Sequence, residues 1–307
     1  PVAAGAFGSK SHVVHAVDDV NISIMERETF ALVGESGCGK TTLGRLLLRL
    51  VEPTAGEVIF RGKNVFNLGQ QEMRLLRRDM QIIFQDPYAS LDPRMRIRDI
   101  IAEPLRTHRE GQTSKEMEAR VQELISIVGL RSGDLLKFPH QFSGGQRQRI
   151  GVAKALALNP DFIVLDEPTS ALDVSVQSQI LNLLNDLQAE LNLTYMFISH
   201  DLSTIKYMCD FVNIMYLGKI VESGPKDEIF SRYLHPYTEA LLGSIPVPDP
   251  RLKRKRVPLS GDIPSPANPP KGCRFHTRCR YREAICEEVE PKLIDKGNGH
   301  MVACHFR

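Results

Sequence analysis

One eight-residue segment, Gly34-Glu35-Ser36-Gly37-Cys38-Gly39-Lys40-Thr41, constrains the fold of this chain more than any other. It fits the pattern G-x-x-x-x-G-K-[ST], whose glycines let the backbone wrap around phosphate groups with its N–H groups pointing inward. An apolar run at residues 30–33 precedes it. Leucines at helical spacing follow it, at Leu43, Leu46, Leu47 and Leu50. The sequence therefore predicts a strand, a phosphate-binding loop that extends to Thr42, and a helix.

Two later apolar runs, at residues 162–165 and 195–198, are also typical of strands buried on both faces of a parallel sheet. Apolar residues at helical spacing lie between them and predict a crossover helix. They are Val176, Ile180, Leu183, Leu184, Leu187 and Leu191. This order of strand, helix and strand predicts an open α/β sheet with its functional groups at the strand ends.

Composition divides the chain into segments. Residues from about 94 to 158 are helix-rich, which predicts a helical subdomain inserted into the α/β core. Prolines are dense from about 245 to 270, and they disfavour both helix and central strand, so we expect an extended linker there. We predict a nucleotide-binding domain over 1–231 and a C-terminal extension over 232–307, ending in a cysteine-rich tail at 271–307.

Charge and hydropathy restrict the class of function. A formal net charge of +2 gives no argument for nucleic acid as a partner. No apolar run approaches the roughly 20 residues that a helix needs to cross a bilayer. We therefore expect a cytosolic chain whose role at a membrane comes through partner subunits.

Acidic residues at the end of the 162–165 run complete a nucleotide site. Asp166 is expected to hold Mg²⁺ through water, and Glu167 to polarise the attacking water. In the phosphate loop, Lys40 would reach the β- and γ-phosphates of ATP, and the hydroxyl of Thr41 would bind Mg²⁺. These residues predict an ATP-hydrolysing enzyme.

A segment between these two elements, Phe142-Ser143-Gly144-Gly145-Gln146-Arg147-Gln148-Arg149, resembles the signature sequence of the ABC-transporter ATPases. Other motifs of that family stand in the expected order. Gln85 matches the Q-loop, Ser170-Ala171-Leu172-Asp173 matches the D-loop, and His200 matches the switch histidine. The resemblance covers about residues 16–231 and implies a P-loop ATPase fold.

The resemblance also implies that two ATPase subunits meet head to tail and share their sites. Gln85 would then join Mg²⁺ and sense the membrane subunits, and His200 would hold the γ-phosphate and the water in line. The residues expected to act on the partner's nucleotide are Ser143, Gly144, Gly145 and Gln146. Those expected to act on the chain's own nucleotide are Gly34, Glu35, Ser36, Gly37, Cys38, Gly39, Lys40, Thr41, Thr42, Gln85, Asp166, Glu167 and His200.

Two more segments are similar to the ATPases of dipeptide and oligopeptide importers, namely residues 84–93 and His235-Pro236-Tyr237-Thr238. The phenylalanine-led signature is similar to their F-type subunit. This resemblance implies a second, different ABC ATPase subunit, two transmembrane permease subunits and an extracellular or periplasmic peptide-binding protein. It also implies a peripheral location on the cytoplasmic face of the inner membrane. A nickel or glutathione importer, or a soluble ABC ATPase of repair or translation, stays open as an alternative.

Four of the six cysteines, Cys273, Cys279, Cys286 and Cys304, lie in the tail, separated by five, six and seventeen residues. They lack the paired C-x-x-C spacing usual for structural zinc, whereas four thiolates suit an iron–sulfur cluster. Peptide-importer ATPases of this type carry a similar tail, and some hold a [4Fe–4S] cluster there. We expect such a cluster, with zinc and with free or oxidised thiols as alternatives.

Two departures from the family pattern stand out. The aromatic residue that stacks on adenine would align at or just before Pro1, and Phe7 is a weak substitute. The turn at residues 25–28 carries Arg27 where the family commonly has glycine. The second departure predicts a local change of turn type without a functional meaning.

Overall fold

The computed structural model describes residues 13–86, 90–108, 113–244, 259 and 261–307. Three parts of the predictions lie outside the described residues: Phe7, residues 87–89 of the importer-like segment 84–93, and residues 245–258 of the predicted linker. Within the described ranges, no helix combines the length and the apolar character that a membrane span requires.

The described residues form both strands and helices. The strands are β1 (Thr29–Val33), β2 (Ile59–Phe60), β3 (Lys63–Asn64), β4 (Met80–Ile83), β5 (Phe162–Asp166), β6 (Thr194–Ser199), β7 (Phe211–Tyr216), β8 (Lys219–Pro225), β9 (Ile294–Asp295) and β10 (Met301–Val302). The α-helices are α1 (Lys40–Leu47), α2 (Gln70–Leu76), α3 (Ile97–Thr107), α4 (Ser114–Ile127), α5 (Gly144–Ala155), α6 (Val174–Leu191), α7 (Leu202–Met208), α8 (Lys226–Ser231), α9 (Pro236–Gly243) and α10 (Ala284–Glu288).

The chain forms two compact units. Among the described residues, the first consists of 13–24, 29–43, 199–244, 259 and 261–307, and the second of 25–28, 44–86, 90–108 and 113–198. In the second unit β4, β5 and β6 lie side by side and parallel, with Ile83 opposite Leu165 and Asp166 opposite Ile198. Every residue of β5 and β6 is buried, as the two continuous apolar runs predict for strands covered on both faces.

The crossover helix between β5 and β6 is α6. Its buried residues are Ile180, Leu181, Leu184 and Leu187. The predicted helix is present, but its predicted stripe is partly wrong, because Leu191 is exposed. The buried face is therefore shorter than the apolar spacing indicates, and it ends before the last turn of the helix.

Three helices of the second unit, α3, α4 and α5, pack against one another within residues 97–155. Ile100, Leu124 and Ile150 are almost completely buried in this cluster. The apolar faces of the three amphipathic helices cover each other, which accounts for the helix-rich composition of this stretch. The predicted limits of a helical subdomain at about 94 and 158 stay a prediction.

The turn before β1 contains Arg27 in the left-handed backbone region, with φ of 64°. Its backbone is held at both ends, since the Arg27 N–H donates to Thr194 Oγ1 at 2.9 Å and its carbonyl accepts from Gln188 Nε2 at 3.1 Å. The exposed Arg27 side chain therefore occupies a conformation that favours glycine.

In the first unit β1 pairs in parallel with β7, and β7, β8, β10 and β9 continue as antiparallel neighbours. The C-terminal tail thus contributes β9 and β10 to the edge of this sheet. Glu222 on β8 anchors the tail, because its buried carboxylate accepts hydrogen bonds from the Leu234 and His235 N–H groups at 2.7 and 2.9 Å and lies 2.7 Å from Nε2 of His300.

Candidate functional site

The phosphate loop joins β1 to α1, and Lys40 is the first residue of that helix. Only 5% of Lys40 is exposed. Its Nζ donates to the carbonyl oxygens of Gly34 at 2.8 Å and Glu35 at 3.0 Å. The wrapped backbone therefore holds a positive charge beneath the loop, at the N-terminus of a helix whose field also favours an anion.

Backbone geometry explains why the pattern requires its second glycine, Gly39. Its φ is +112°, and a Cβ atom there would lie 2.0 Å from the carbonyl oxygen of Ala16. Only glycine fits this approach. Thr41 and Thr42 follow in the first turn of α1 and are half-buried. Burial of the neighbouring Cys38 raises the pKa of its thiol.

The acidic pair stands at the end of β5 in the second unit. Asp166 is the last strand residue and only 2% exposed. Glu167 follows in the left-handed region with φ of 48°, and its N–H donates to the Ile198 carbonyl at 3.0 Å. Gln85 Nε2 donates to Glu167 Oε2 at 2.9 Å. The predicted base and the predicted Q-loop residue are therefore in direct contact.

The D-loop residue Ser170 is tied to the same glutamate. Both its N–H and its hydroxyl donate to the Glu167 carbonyl oxygen, at 3.2 and 3.1 Å. Asp173 is the N-cap residue of α6. A shift of the D-loop would consequently move the backbone that carries Glu167.

The signature segment forms the start of α5 in the same unit. Ser143 is its N-cap, and Ser143 and Gln146 form a capping box: the Ser143 N–H donates to Gln146 Oε1 at 3.0 Å, and the Gln146 N–H donates to Ser143 Oγ at 3.3 Å. Gly144 follows the cap. A Cβ on Gly145 would lie 2.2 Å from Val176 Cγ1, so α6 packs directly on this glycine. Ser143 and Gln146 are exposed, Gly144 is half-buried and Gly145 is buried.

His200 is exposed and directly follows β6. It belongs to the same unit as the phosphate loop, whereas Gln85, Asp166 and Glu167, together with the signature and D-loop residues, belong to the other unit. The next residue, Asp201, caps α7 by accepting from the Ser203 N–H at 2.8 Å. The chain therefore turns away into a helix immediately after the histidine.

Two residues that sequence reasoning missed contact the phosphate loop. The Glu35 N–H donates to the Tyr237 hydroxyl at 2.8 Å. The Glu35 carboxylate accepts from Arg278 Nη1 at 2.6 Å and from Nη2 at 3.2 Å. Tyr237 lies in a segment noted only for its family resemblance, and no local pattern marks Arg278, because the contact spans 243 positions of the chain.

The cysteine tail belongs to the first unit. Cys273, Cys279, Cys286 and Cys304 all border one cavity of about 30 Å³. Such a cavity offers room on the scale of one or two water molecules. The structure therefore gathers the four cysteines that the sequence spaces unevenly, and it places Phe275 and His276 in the same wall.

Burial raises the pKa of the Cys273 thiol to about 11 and moves the pKa of Cys279 upward as well. Both thiols are therefore protonated at neutral pH unless a metal displaces their protons. Among the described residues, no group of three or more His, Cys, Asp or Glu side chains is placed to hold a metal ion. The predicted [4Fe–4S] cluster is therefore not confirmed by this geometry.

Comparison with known proteins decides the family. A family model described as "ABC transporter" matches residues 17–170. The oligopeptide transport ATP-binding protein AppF of Bacillus subtilis (strain 168) is 51% identical over all of this chain and 94% of its own length. The chain belongs to the ABC transporter family. It is an ATPase of that family, as the ordered motifs predict.

Other members extend the similarity. The putative oligopeptide transport ATP-binding protein YkfD of the same organism is 53% identical over 97% of this ABC protein and 91% of its own length. A second family model, described as the C-terminal region of oligopeptide/dipeptide transporters, matches residues 221–286. A solved structure, the dimeric post-hydrolysis state of the ATP-binding cassette MJ0796 with ADP and Pi, aligns with a TM-score of 0.64 at 29% identity, over 72% of this chain and 94% of that one.

This structural likeness confirms the P-loop ABC ATPase fold with its α/β sheet. One predicted partner is wrong. The similarity to AppF and YkfD favours a second ATPase of similar type and gives no support to a different one. Because this chain carries both a phosphate loop and a signature helix, a second chain of the same type would offer both elements. Permease subunits and a binding protein fit an ABC importer ATPase.

Proposed function

We propose that this ABC ATPase drives the import of dipeptides or oligopeptides. The observation that carries the proposal is the similarity to oligopeptide transport ATP-binding proteins over the whole chain, including the C-terminal region that a transporter-specific family model matches. In such an importer the ATPase lies at the cytoplasmic face of the inner membrane as a peripheral subunit and acts on the permeases.

We assign the nucleotide-binding domain to residues 1–231, with a helical subdomain at about 94–158. The peptide-importer extension occupies 232–307, with its linker at about 245–270 and its tail at 271–307. The packed cluster of α3, α4 and α5 supports the subdomain. The contact between His300 and Glu222 supports a tail that folds onto β8, the strand of the nucleotide-binding domain with which β10 pairs.

The phosphate loop binds ATP through its backbone N–H groups, and Lys40 places its ammonium on the β- and γ-phosphates. Mg²⁺ takes oxygen ligands, and the Thr41 hydroxyl, the Gln85 amide oxygen and the buried Asp166 carboxylate are the donors that this chain offers. When bound, Mg²⁺ neutralises charge on the phosphates.

Glu167 acts as the base that orients and polarises the attacking water. The hydrogen bond from Gln85 holds its carboxylate in place, and the Ser170 contacts hold its backbone. His200 positions the γ-phosphate and the water in line. A base that is already oriented loses little conformational entropy when it accepts the proton from water. Positioning therefore lowers the activation barrier of hydrolysis.

The signature residues Ser143, Gly144, Gly145 and Gln146 act on the nucleotide of a second ATPase of similar type. The N–H groups at the first turn of a helix lack partners within that helix and so bind anions. Ser170 and Asp173 of the D-loop lie on the segment that follows Glu167. A partner that displaces this segment would therefore also displace Glu167.

We further propose that the tail cysteines bind metal, with a [4Fe–4S] cluster as the leading form and zinc as the alternative. The support is that Cys273, Cys279, Cys286 and Cys304 border one cavity. Their thiols would have to lose their protons when the metal binds. Anaerobically purified protein should be brown and contain iron and acid-labile sulfide, and Cys279→Ser should lose both. Colourless protein with stoichiometric zinc would favour the alternative.

Transport in proteoliposomes tests the cargo. The chain is reconstituted with permease subunits and a binding protein encoded beside it, and ATP-dependent uptake of a labelled dipeptide, a labelled oligopeptide, nickel and glutathione is compared. Peptide uptake that stops in the Glu167→Gln variant supports the proposal. Uptake of nickel or glutathione alone, or the absence of permease genes beside this one, would contradict it.

A further inference from the structure

Two side chains from the C-terminal region hold the phosphate loop at Glu35. The Tyr237 hydroxyl accepts from the Glu35 N–H at 2.8 Å, and Arg278 donates from both terminal nitrogens to the Glu35 carboxylate. The Glu35 carbonyl in turn accepts from Lys40 at 3.0 Å. One loop residue therefore connects the tail to the lysine that meets the phosphates.

The ion pair between Arg278 and Glu35 is largely shielded from solvent. The Arg278 side chain is 5% exposed and the Glu35 side chain 24%. The guanidinium carbon of Arg278 lies 5.9 Å from the ring centroid of Tyr216. A charge-assisted, two-pronged contact of this kind fixes direction as well as distance, unlike an exposed ion pair.

An aromatic cluster supports this contact. The ring centroids of Tyr216 and Tyr237 are 4.8 Å apart, and those of Tyr216 and Phe275 are 5.2 Å apart. All three rings are almost completely buried. The cluster joins β7, α9 and the tail, and its Tyr216 ring lies beside the Arg278 guanidinium. Packing therefore restricts the conformations that the Arg278 side chain can adopt.

Arg278 also lies in the turn that carries two of the cavity cysteines. The His276 N–H donates to the Cys273 carbonyl, the Arg278 N–H to the Phe275 carbonyl and the Cys279 N–H to the His276 carbonyl, at 3.0 to 3.2 Å. These backbone hydrogen bonds connect Arg278 to Cys273 and Cys279 within one turn. A change at the cysteines would therefore change the place from which Arg278 reaches Glu35.

We propose that Arg278 is a positioning residue for ATP binding, which orients the phosphate loop through Glu35 and couples that loop to the cysteine turn. Without this contact the phosphate loop would lose conformational entropy when the nucleotide binds. That cost would lower the affinity for ATP. Coupling between two sites is reciprocal, so ATP must stabilise the cysteine turn to the same extent that the turn favours ATP.

Matched variants of the full-length chain test the first half. Arg278→Met removes the contact to Glu35 with little change of volume. Arg280→Met is the control, because Arg280 lies two residues further on and pairs with Glu239 at the surface. We expect the Kd for ATP to rise about tenfold in Arg278→Met, within the usual range of coupling between sites, and to stay within about twofold in the control.

A double-mutant cycle separates positioning from simple loss of structure. Glu35→Gln changes no residue of the tail. If the contact itself positions the loop, this variant should weaken ATP binding, whether or not Arg278→Met disturbs the tail. The double variant should bind ATP no more weakly than Arg278→Met alone, and Arg278→Lys should recover part of the affinity. Fully additive effects, or normal affinity in Glu35→Gln, would overturn the proposal.

Hydrogen exchange measures the reverse direction. Saturating ATP should slow amide exchange in the peptide 273–279 at least about threefold in the wild-type chain and leave it unchanged in Arg278→Met, as reciprocity requires. Equal exchange with and without ATP in the wild type would contradict the coupling. A wild-type chain with no measurable affinity for ATP would instead overturn its assignment as an ATPase.

Discussion

Gln85 Nε2 donates a hydrogen bond of 2.9 Å to Oε2 of Glu167, and this contact fixes the carboxylate of the residue best placed to act as base. The backbone of Glu167 stands at a φ of 48°, which costs free energy for a residue with a side chain. Its N–H bond to Ile198 and the bonds from Ser170 to its carbonyl hold that conformation. The surrounding contacts thus determine both the direction and the backbone of this glutamate.

The variant Glu167→Gln should bind ATP as the wild type does and lose turnover by about 10²- to 10⁴-fold, the usual contribution of a general base. The amide keeps the shape of the side chain but cannot accept the proton. ATP affinity and steady-state hydrolysis are measured on the same preparation. Glu190→Gln, on the exposed face of α6, is the control and should leave both unchanged. Parallel loss of binding and turnover would contradict the assignment.

Lys40→Ala should raise the Kd for ATP by about 10- to 100-fold, since it removes a charged donor that makes charge-assisted hydrogen bonds. The variant also loses the bonds that Lys40 donates to the Gly34 and Glu35 carbonyls, so the empty loop should become more mobile. Isothermal titration with ATP checks the affinity. Lys115→Ala, an exposed change on α4, should bind normally. Unchanged affinity in Lys40→Ala would refute the role of the loop.

A mixing experiment tests whether two chains share each site. Glu167→Gln and Ser143→Arg should each be nearly inactive alone. An equal mixture should recover up to about a quarter of the wild-type rate, because half of the dimers are mixed and each mixed dimer keeps one intact site of two. A mixture no more active than its components would show that each chain works by itself.

The same model predicts that the hydrolysis rate per wild-type molecule rises with protein concentration. Dimers form by mass action, so dilution should lower the specific activity. Ser126→Arg, an exposed change on α4 of the same chemistry as Ser143→Arg, should keep the wild-type profile. A rate per molecule that is independent of concentration would argue against shared sites.

Arg27→Gly should increase the free energy of unfolding by about 0.5 kcal/mol. Relief of the left-handed conformation contributes about 1–2 kcal/mol, and the greater freedom of glycine in the unfolded chain offsets about 0.5–1 kcal/mol of that gain. Urea denaturation measures the change. Glu26→Gly in the same turn lacks a positive φ to relieve and should destabilise the chain. If both variants lose stability equally, the strain at Arg27 is not significant.

Local patterns determined much of this protein from the sequence alone. The apolar runs at 30–33, 162–165 and 195–198 became the cores of β1, β5 and β6, because continuous branched and aromatic residues suit strands buried on both faces. The nucleotide motifs could be predicted because each needs neighbouring residues in a fixed order. The family, the ATPase activity and the resemblance to oligopeptide transport proteins followed from those motifs.

Only the tertiary structure decided how distant residues meet. No pattern within one segment could indicate that Arg278 binds Glu35, that His300 meets Glu222, or that Gln85 holds Glu167, because these contacts depend on how strands and turns pack. The cysteines illustrate both what the sequence predicts and what it does not. Their composition predicted a common site, and the fold brings Cys273 and Cys304 to one cavity. Composition could not predict the cavity itself, because it forms only where the turn at 273–279, α10 and the residues after β10 pack together.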